Sequence, residues 1–248
     1  MNIVILYEDE TVLVIEKPFG SIVNRSATAK YETVQDWTEQ KLQIKNEKGK
    51  VADENLQVFL DRSGVAHRLD KDTSGCLLIA KTPESLANLL QQFKQRTVHK
   101  EYIALVHGAV KPEKGSVNAP IGRLPWRRGL FGIMPGGKPA VSHYEVKGFY
   151  KLGKEIYSLL GLTIETGRTH QIRVHLQYIG HPVVGDVFYA GRKRTRKTNT
   201  WCPRLFLHAK QISFISPDTN KQASVEGPLP EDLQTVLKKL IPTNHDEA

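Results

Sequence analysis

The stretch HRLDKDTSG, residues 67–75, is followed at once by the apolar run CLLIAKT, residues 76–82, and no other feature constrains this chain as tightly. A short apolar run bounded by polar turn formers reads as a buried strand, and Thr73, Ser74 and Gly75 are the residue types that make a tight turn ahead of one. That order sets one carboxylate, Asp70, in a polar loop that feeds a core strand. A carboxylate held there is either ionised beside a partner or protonated. The adjacent Arg68 offers one guanidinium, and Arg173 offers a second a hundred residues later.

Arg173 lies in ETGRTHQIRVHLQYIGHPVVGD, residues 165–186. Ile172, Leu176 and Ile179 fall at helical spacing, with Thr169 placed to cap the start and Gly180 to close the end. This predicts a helix with Arg173 in its first turn beside an apolar face. A strand competes, because Ile172, Val174 and Leu176 also alternate. A third segment, KEYIALVHGAV (residues 100–110), has strand character, with Tyr102 as its most conspicuous side chain.

The remaining pattern is β-rich with helices inserted irregularly. IVILYED and TVLVIEK read as two strands joined by acidic turn formers, and HYEVKGFY and YSLLGLTIET as two more. LFLHAKQISFISP reads as strand, turn and strand. Helices are expected over residues 33–44, over 83–93 with a proline in the first turn, and over 231–240. NEKGKVADEN reads as a polar loop, and the Pro-, Gly- and Arg-rich residues 111–140 as turns and an exposed hairpin. The sum is one α+β domain over residues 1–248, built around a mixed, largely antiparallel sheet, with residues 218–248 as a C-terminal strand, helix and polar tail.

Four blocks, HRLDKDTSG, KEYIALVHG, GKPAVSHYEV and GRTHQIRVHLQYIGHPVVGD, together with the opening ILYEDETVLVIEKPFG, resemble the sequence blocks of RluA-type pseudouridine synthases in family order. The resemblance runs from about residue 5 to about residue 217. It implies the same α+β architecture with a central cleft across the sheet. It also implies isomerisation of uridine in RNA without a cofactor or a metal, and assigns Asp70 as the catalytic carboxylate. Arg173 matches the family arginine that pairs with that aspartate. Tyr102 matches the tyrosine that lies against the target uracil and relays its proton. Arg68 corresponds to an arginine that helps displace the target base from its stack, a step required because the reacting atoms are inaccessible within stacked RNA. Some members carry an S4 domain ahead of these blocks; here they begin almost at residue 1, so none is expected.

Charge agrees with an anionic partner: 35 Lys and Arg stand against 26 Asp and Glu, a net +9. The runs Trp126-Arg127-Arg128 and Arg192-Lys193-Arg194-Thr195-Arg196-Lys197 are candidate phosphate contacts on basic loops, and Arg168 is a candidate cleft residue. The expected partner is an rRNA or tRNA stem-loop, with a slight preference for ribosomal RNA, and the default state is a monomer. The two cysteines, Cys76 and Cys202, lie in no CxxC pair, and neither a signal peptide nor a run of ~18 apolar residues is present, so a cytoplasmic protein free of membrane contact is expected.

Three other readings compete. Asp70 with Asp72 could serve a glycoside hydrolase or nucleosidase, since alternate residues of an extended chain share a side about 7 Å apart; such an enzyme admits water, whereas an isomerase excludes it. The same fold could bind RNA without chemistry. His170 and His175 could suggest a metal hydrolase, but a spacing of five does not set both on one helix face as the i, i+4 pair of HExxH does.

Overall fold

The β-branched opening residues form a hairpin in which β1 (Val4–Glu8) pairs antiparallel with β2 (Val12–Lys17). Asp9 makes its turn, the carboxylate accepting from the Thr11 and Val12 N–H groups at 2.8 Å each. This computed structural model describes residues 1–25, 31–44, 52–127 and 129–244. Arg128 and most of the expected polar loop at 46–55 lie outside the described residues. α1 (Val34–Leu42) begins on a capping box between Thr33 and Asp36, and α2 (Glu54–Arg62) begins on Asp53, which accepts from Asn55 and Leu56. β3 (Ser74–Ala80) is buried along its whole length, two residues earlier in its start than the apolar run alone indicates. α3 (Pro83–Gln95) follows, capped by Thr82 with Pro83 in its first turn.

Next come β4 (His99–His107), β5 (Lys114–Asn118), β6 (Ile121–Arg123), β7 (Phe131–Ile133), β8 (Val141–Leu152) and β9 (Glu155–Ile164). They are followed by α4 (Gln171–Tyr178) and α5 (Arg192–Thr198). β10 (Leu207–Ile215), β11 (Gln222–Glu226), α6 (Glu231–Lys238) and β12 (Ile241–Thr243) complete the chain. The architecture is α+β and largely antiparallel, as the strand pattern predicts. β6 and β7 pair as the expected hairpin, but it is not exposed: Ile121 is buried, and Phe131 and Ile133 are half-buried against the same cluster.

Three local expectations are corrected. The stretch around Lys210 and Gln211 is no turn: β10 runs through it, with Gln211 opposite Glu226, and the chain reverses only after Ile215. The basic run 192–197 is a helix and not a loop. α4 is a helix and not a strand, but Thr169 does not cap it. His170 precedes it in the left-handed region (φ 56°) without a side-chain cap, while Gln171 reaches back to accept from the Thr166 hydroxyl (2.7 Å) and the Arg168 N–H (3.0 Å). Gly180 (φ 88°) does close the end, where its N–H donates to Gln177.

The chain divides into two compact units, Met1–Lys100 with Ala209–Pro228, and Glu101–His208 with Leu229–Ala248. In the first, strands lie in the order β1, β2, β3, β10, β11. One side of that sheet packs Val12, Val14, Leu78, Ala80 and Phe214 against Phe59 and Leu60 of α2 and Leu86 and Leu89 of α3. Burying side chains of this kind contributes about 1.5–3 kcal/mol each. In the second, β4, β9 and β8 lie side by side, and β5 and β12 share the far edge of β8. Val174 of α4 packs with Ile121 and Ala140, flanked by Phe131, Ile133 and Tyr189.

Candidate active site

Asp70 sits in the first unit on a loop whose path is held by several backbone hydrogen bonds. After α2, Ser63 (φ 51°) and Gly64 (φ 75°) reverse the chain, and residues 64–67 then run beside β3, with Ala66 N–H on the Leu78 carbonyl and Ala80 N–H on the Gly64 carbonyl. The Leu78 N–H donates to His67 Nε2 at 3.1 Å, so this imidazole is neutral with its proton on Nδ1. Its ring lies 5.1 Å from that of Phe93, and burial together with the Lys100 charge pushes its pKa down to about 3. Lys100 sits over the other ring of this pair, Phe93, and burial lowers its own pKa to about 8.

Beyond His67 the chain turns at Asp70, whose carbonyl accepts from Thr73 N–H at 3.1 Å. Asp70 is half-buried, Arg68 is exposed, and Thr73 and Ser74 are buried. The loop's other anchor is Lys17, which sequence reasoning missed. Its side chain is 0% exposed, and its Nζ donates to the carbonyls of Pro18 (2.8 Å), Ser21 (2.9 Å) and Lys71 (3.1 Å). Lys71 is the residue after Asp70, and its carbonyl also accepts from Gly20 N–H. A buried ammonium is tolerated there because three carbonyls replace its water. At Gly75 (φ 118°) a Cβ would stand 2.2 Å from the Ala209 carbonyl oxygen, so only glycine lets β10 pass at this end of β3.

Tyr102 and Arg173 belong to the second unit. Tyr102 is buried on β4 opposite Leu162 of β9. Arg173, in the first turn of α4 as expected, is 2% exposed and forms a two-pronged pair with Asp186: Nε to Oδ2 at 2.7 Å and Nη2 to Oδ1 at 2.9 Å. Asp186 Oδ1 also accepts from the Phe188 and Tyr189 N–H groups, so one carboxylate ties the helix to the following turn. The Phe188 and Tyr189 rings flank the guanidinium at 5.5 and 5.1 Å, and the Tyr189 hydroxyl meets His170 Nδ1 at 2.8 Å. Asp186 closes the quoted sequence block, yet nothing in the pattern pairs it with a residue thirteen positions earlier. The helix is also not one-sided: residues 171–176 are all buried, Arg173 and His175 included.

His175 bonds Ser142 Oγ and the Ala119 carbonyl, which gives it a structural occupation. Among the described residues no group of three or more His, Cys, Asp or Glu could hold a metal ion, and no helix is long and apolar enough to cross a membrane. Cys76 and Cys202 are buried free thiols whose pKa values burial pushes up to about 12, so neither is a nucleophile at neutral pH.

The candidate RNA contacts are surface groups. Arg168 is exposed, its Nε donating to the Pro139 carbonyl at 3.2 Å. Arg127 is exposed on the β6–β7 connection beside Trp126, which is 73% exposed. Arg192, Lys193, Arg194, Arg196 and Lys197 are exposed on α5, where Lys197 pairs with Glu155 at 2.6 Å.

Residues 11–178 match a family model described as RNA pseudouridylate synthase. The chain is 38% identical over 248 residues to the ribosomal large subunit pseudouridine synthase D of Nitrosomonas europaea, covering 98% of this chain and 67% of that protein. It is 42% identical over 179 residues to an uncharacterized RNA pseudouridine synthase of Chloroflexus aurantiacus, covering 72% of this chain and 54% of that one. The chain thus spans between about half and two thirds of the length of these two curated relatives. Among solved structures, human RNA pseudouridylate synthase domain containing 1 has a TM-score of 0.74 at 25% identity, over 99% of this chain and 92% of that one.

Proposed function

This chain belongs to the RNA pseudouridylate synthase family, and from that premise we propose that it converts uridine in RNA to pseudouridine with Asp70 as the catalytic carboxylate. The reaction breaks the bond from uracil N1 to ribose C1′ and forms one from C5 to C1′; C5 loses a proton and N1 gains one. Composition is unchanged, so no co-reactant is consumed. Such chemistry needs an ionised carboxylate held still, a place that keeps the detached base away from water, and a group that handles the C5 proton.

The observation that carries this reading is the Asp70 turn, which falls inside the matched block and is pinned on one side by His67 and on the other by Lys17. Pre-set geometry of that kind lowers the cost of aligning a carboxylate with its target. Arg173 takes the part of the family's orienting arginine, and its guanidinium is itself held by the Asp186 carboxylate. Tyr102 lies against the uracil and relays the C5 proton; Arg68 helps extract the nucleotide from its stack. Arg127, Arg128, Arg168 and the α5 cations contact phosphates. The substrate is ribosomal RNA of the large subunit, a choice supported by the names of the relatives.

Carbodiimide mapping of pseudouridine in total RNA tests this in cells with and without the gene, complemented by wild type or by Asp70→Asn. The expected result is one or more marks in large-subunit RNA that only wild type restores. Restoration by Asp70→Asn would remove Asp70 from the chemistry. A lost mark in tRNA would move the substrate, and no lost mark would favour an RNA-binding protein of the same fold.

A further inference from the structure

α5 has a use in the fold that its charge alone does not suggest. With the ends of β4 and β9 it walls a cavity of about 480 Å³, a volume typical of small-molecule sites, lined by His107, Tyr157, Glu155 and the side chains of Arg192, Lys193, Arg194 and Lys197. The lining carries four cations and one carboxylate, and Glu155 is already engaged by Lys197. Arg192, Lys193 and Arg194 make no ion pair among the described residues. The floor is aromatic: the His107 and Tyr157 rings lie 5.5 Å apart, and Tyr157 meets Trp201 edge-on at 5.2 Å.

His107 is 7% exposed, and its Nε2 has no hydrogen-bond partner among the described residues. A buried polar atom without a partner costs about 1–3 kcal/mol, a cost that a ligand can remove. Burial and the Arg194 charge hold this imidazole's pKa down at about 4, so at neutral pH it is an uncharged hydrogen-bonding group. All four cations also lie beyond residue 178, where the family match ends.

We infer that this pocket is a second RNA site, seating one nucleotide of the substrate away from the reacting uridine. The cations hold its phosphate, and the His107 floor meets its base. Resting on the reading of the chain as an RNA enzyme, the inference adds a constraint on the substrate. Tyr102 and His107 stand five residues apart on β4, so the pleat turns them to opposite faces about 17 Å apart along the strand. An RNA that reaches both faces touches the enzyme beyond the nucleotides immediately around its target.

The test is binding, measured in the Asp70→Asn protein so that turnover plays no part, with a fluorescein-labelled 20-nucleotide oligouridylate across a KCl series. Arg194→Ser is expected to flatten the slope of log K against log[KCl] by about 0.7, one lost phosphate contact on a single strand. His107→Phe, which removes the ring nitrogens without changing charge at neutral pH, is expected to weaken binding about 5-fold with the slope unchanged. Lys238→Ser, at an exposed position of α6, is expected to leave both at wild-type values. Wild-type binding by His107→Phe together with an unchanged slope for Arg194→Ser overturns the inference. So does binding of free UMP that depends on His107 while oligouridylate binding does not, because the occupant is then a free nucleotide. If His107→Phe fails to fold, Arg192→Ser and Lys193→Ser on the exposed helix repeat the slope measurement. A wild-type protein that binds in this way but forms no pseudouridine would defeat the proposed activity and leave this site standing.

Discussion

Asp70 and Arg173 are both held in place, by opposite means. The Asp70 loop is held through main chain: its carbonyl and that of Lys71 accept hydrogen bonds, and the side chains that matter, His67 and Lys17, bond to backbone atoms of neighbouring segments. Arg173 is held through side chains, by the Asp186 carboxylate and two aromatic rings. A main-chain scaffold tolerates changes of side chain wherever the backbone path survives. A buried charge pair does not, because loss of either member removes the main compensation for the other's charge.

The largest effect is therefore expected at the charge pair. Asp186→Ala removes the two-pronged partner of a buried guanidinium and the acceptor for the Phe188 and Tyr189 N–H groups, and should cost about 3–5 kcal/mol in denaturant unfolding. A loss below about 1 kcal/mol would mean that solvent or another group takes over, and the contrast with the Asp70 loop would fail. Replacing both Arg173 and Asp186 by Leu should cost less stability than Asp186→Ala alone, although activity would be lost.

Lys17→Met comes next, because it removes a donor shared by three backbone carbonyls; about 2–4 kcal/mol is expected. Turnover should fall further than stability explains, since the Lys71 carbonyl follows Asp70 directly. If kcat survives in the folded variant, Lys17 supports the hairpin and not the loop.

His67→Leu removes the acceptor for the Leu78 N–H and should cost about 1–3 kcal/mol, with His67→Gln costing less. The wild-type residue also predicts a pH dependence. Its folded pKa, about 3, lies below the unfolded 6.5, so the unfolded chain binds the extra proton between these values. The contribution is fully present above pH 6.5 and is lost as the pH falls towards 3. His67→Gln should flatten the stability curve over that window, and an unchanged curve would assign the acid sensitivity to other groups such as His107.

Glu155→Gln is the smallest change. It breaks the exposed pair with Lys197 and should change the free energy of denaturant unfolding by under about 0.5 kcal/mol.

The same contrast explains what the sequence made legible. α3 was readable to within two residues because its cap, its proline and its apolar stripe are all local signals. β3 and the Asp70 turn were readable because a polar loop meets an apolar run. Lys17 was not: a lysine at a strand end reads as exposed, and only the folded backbone brings three carbonyls to it. Asp186 was missed because a turn, and not a repeat, returns it to α4. α5 has no apolar period, only Thr198 being buried, and read as loop. β12 is three residues with a central proline, and its edge position on β8 depends on partners ninety residues away in the chain.

The most direct test of the central claim is a mass balance on purified protein with large-subunit ribosomal RNA, counting uridine lost, pseudouridine gained and uracil released. Pseudouridine equal to the uridine consumed is expected, with no free uracil and no conversion by Asp70→Asn that still binds the RNA. Release of free uracil in proportion to uridine lost, or full conversion by Asp70→Asn, would contradict the claim.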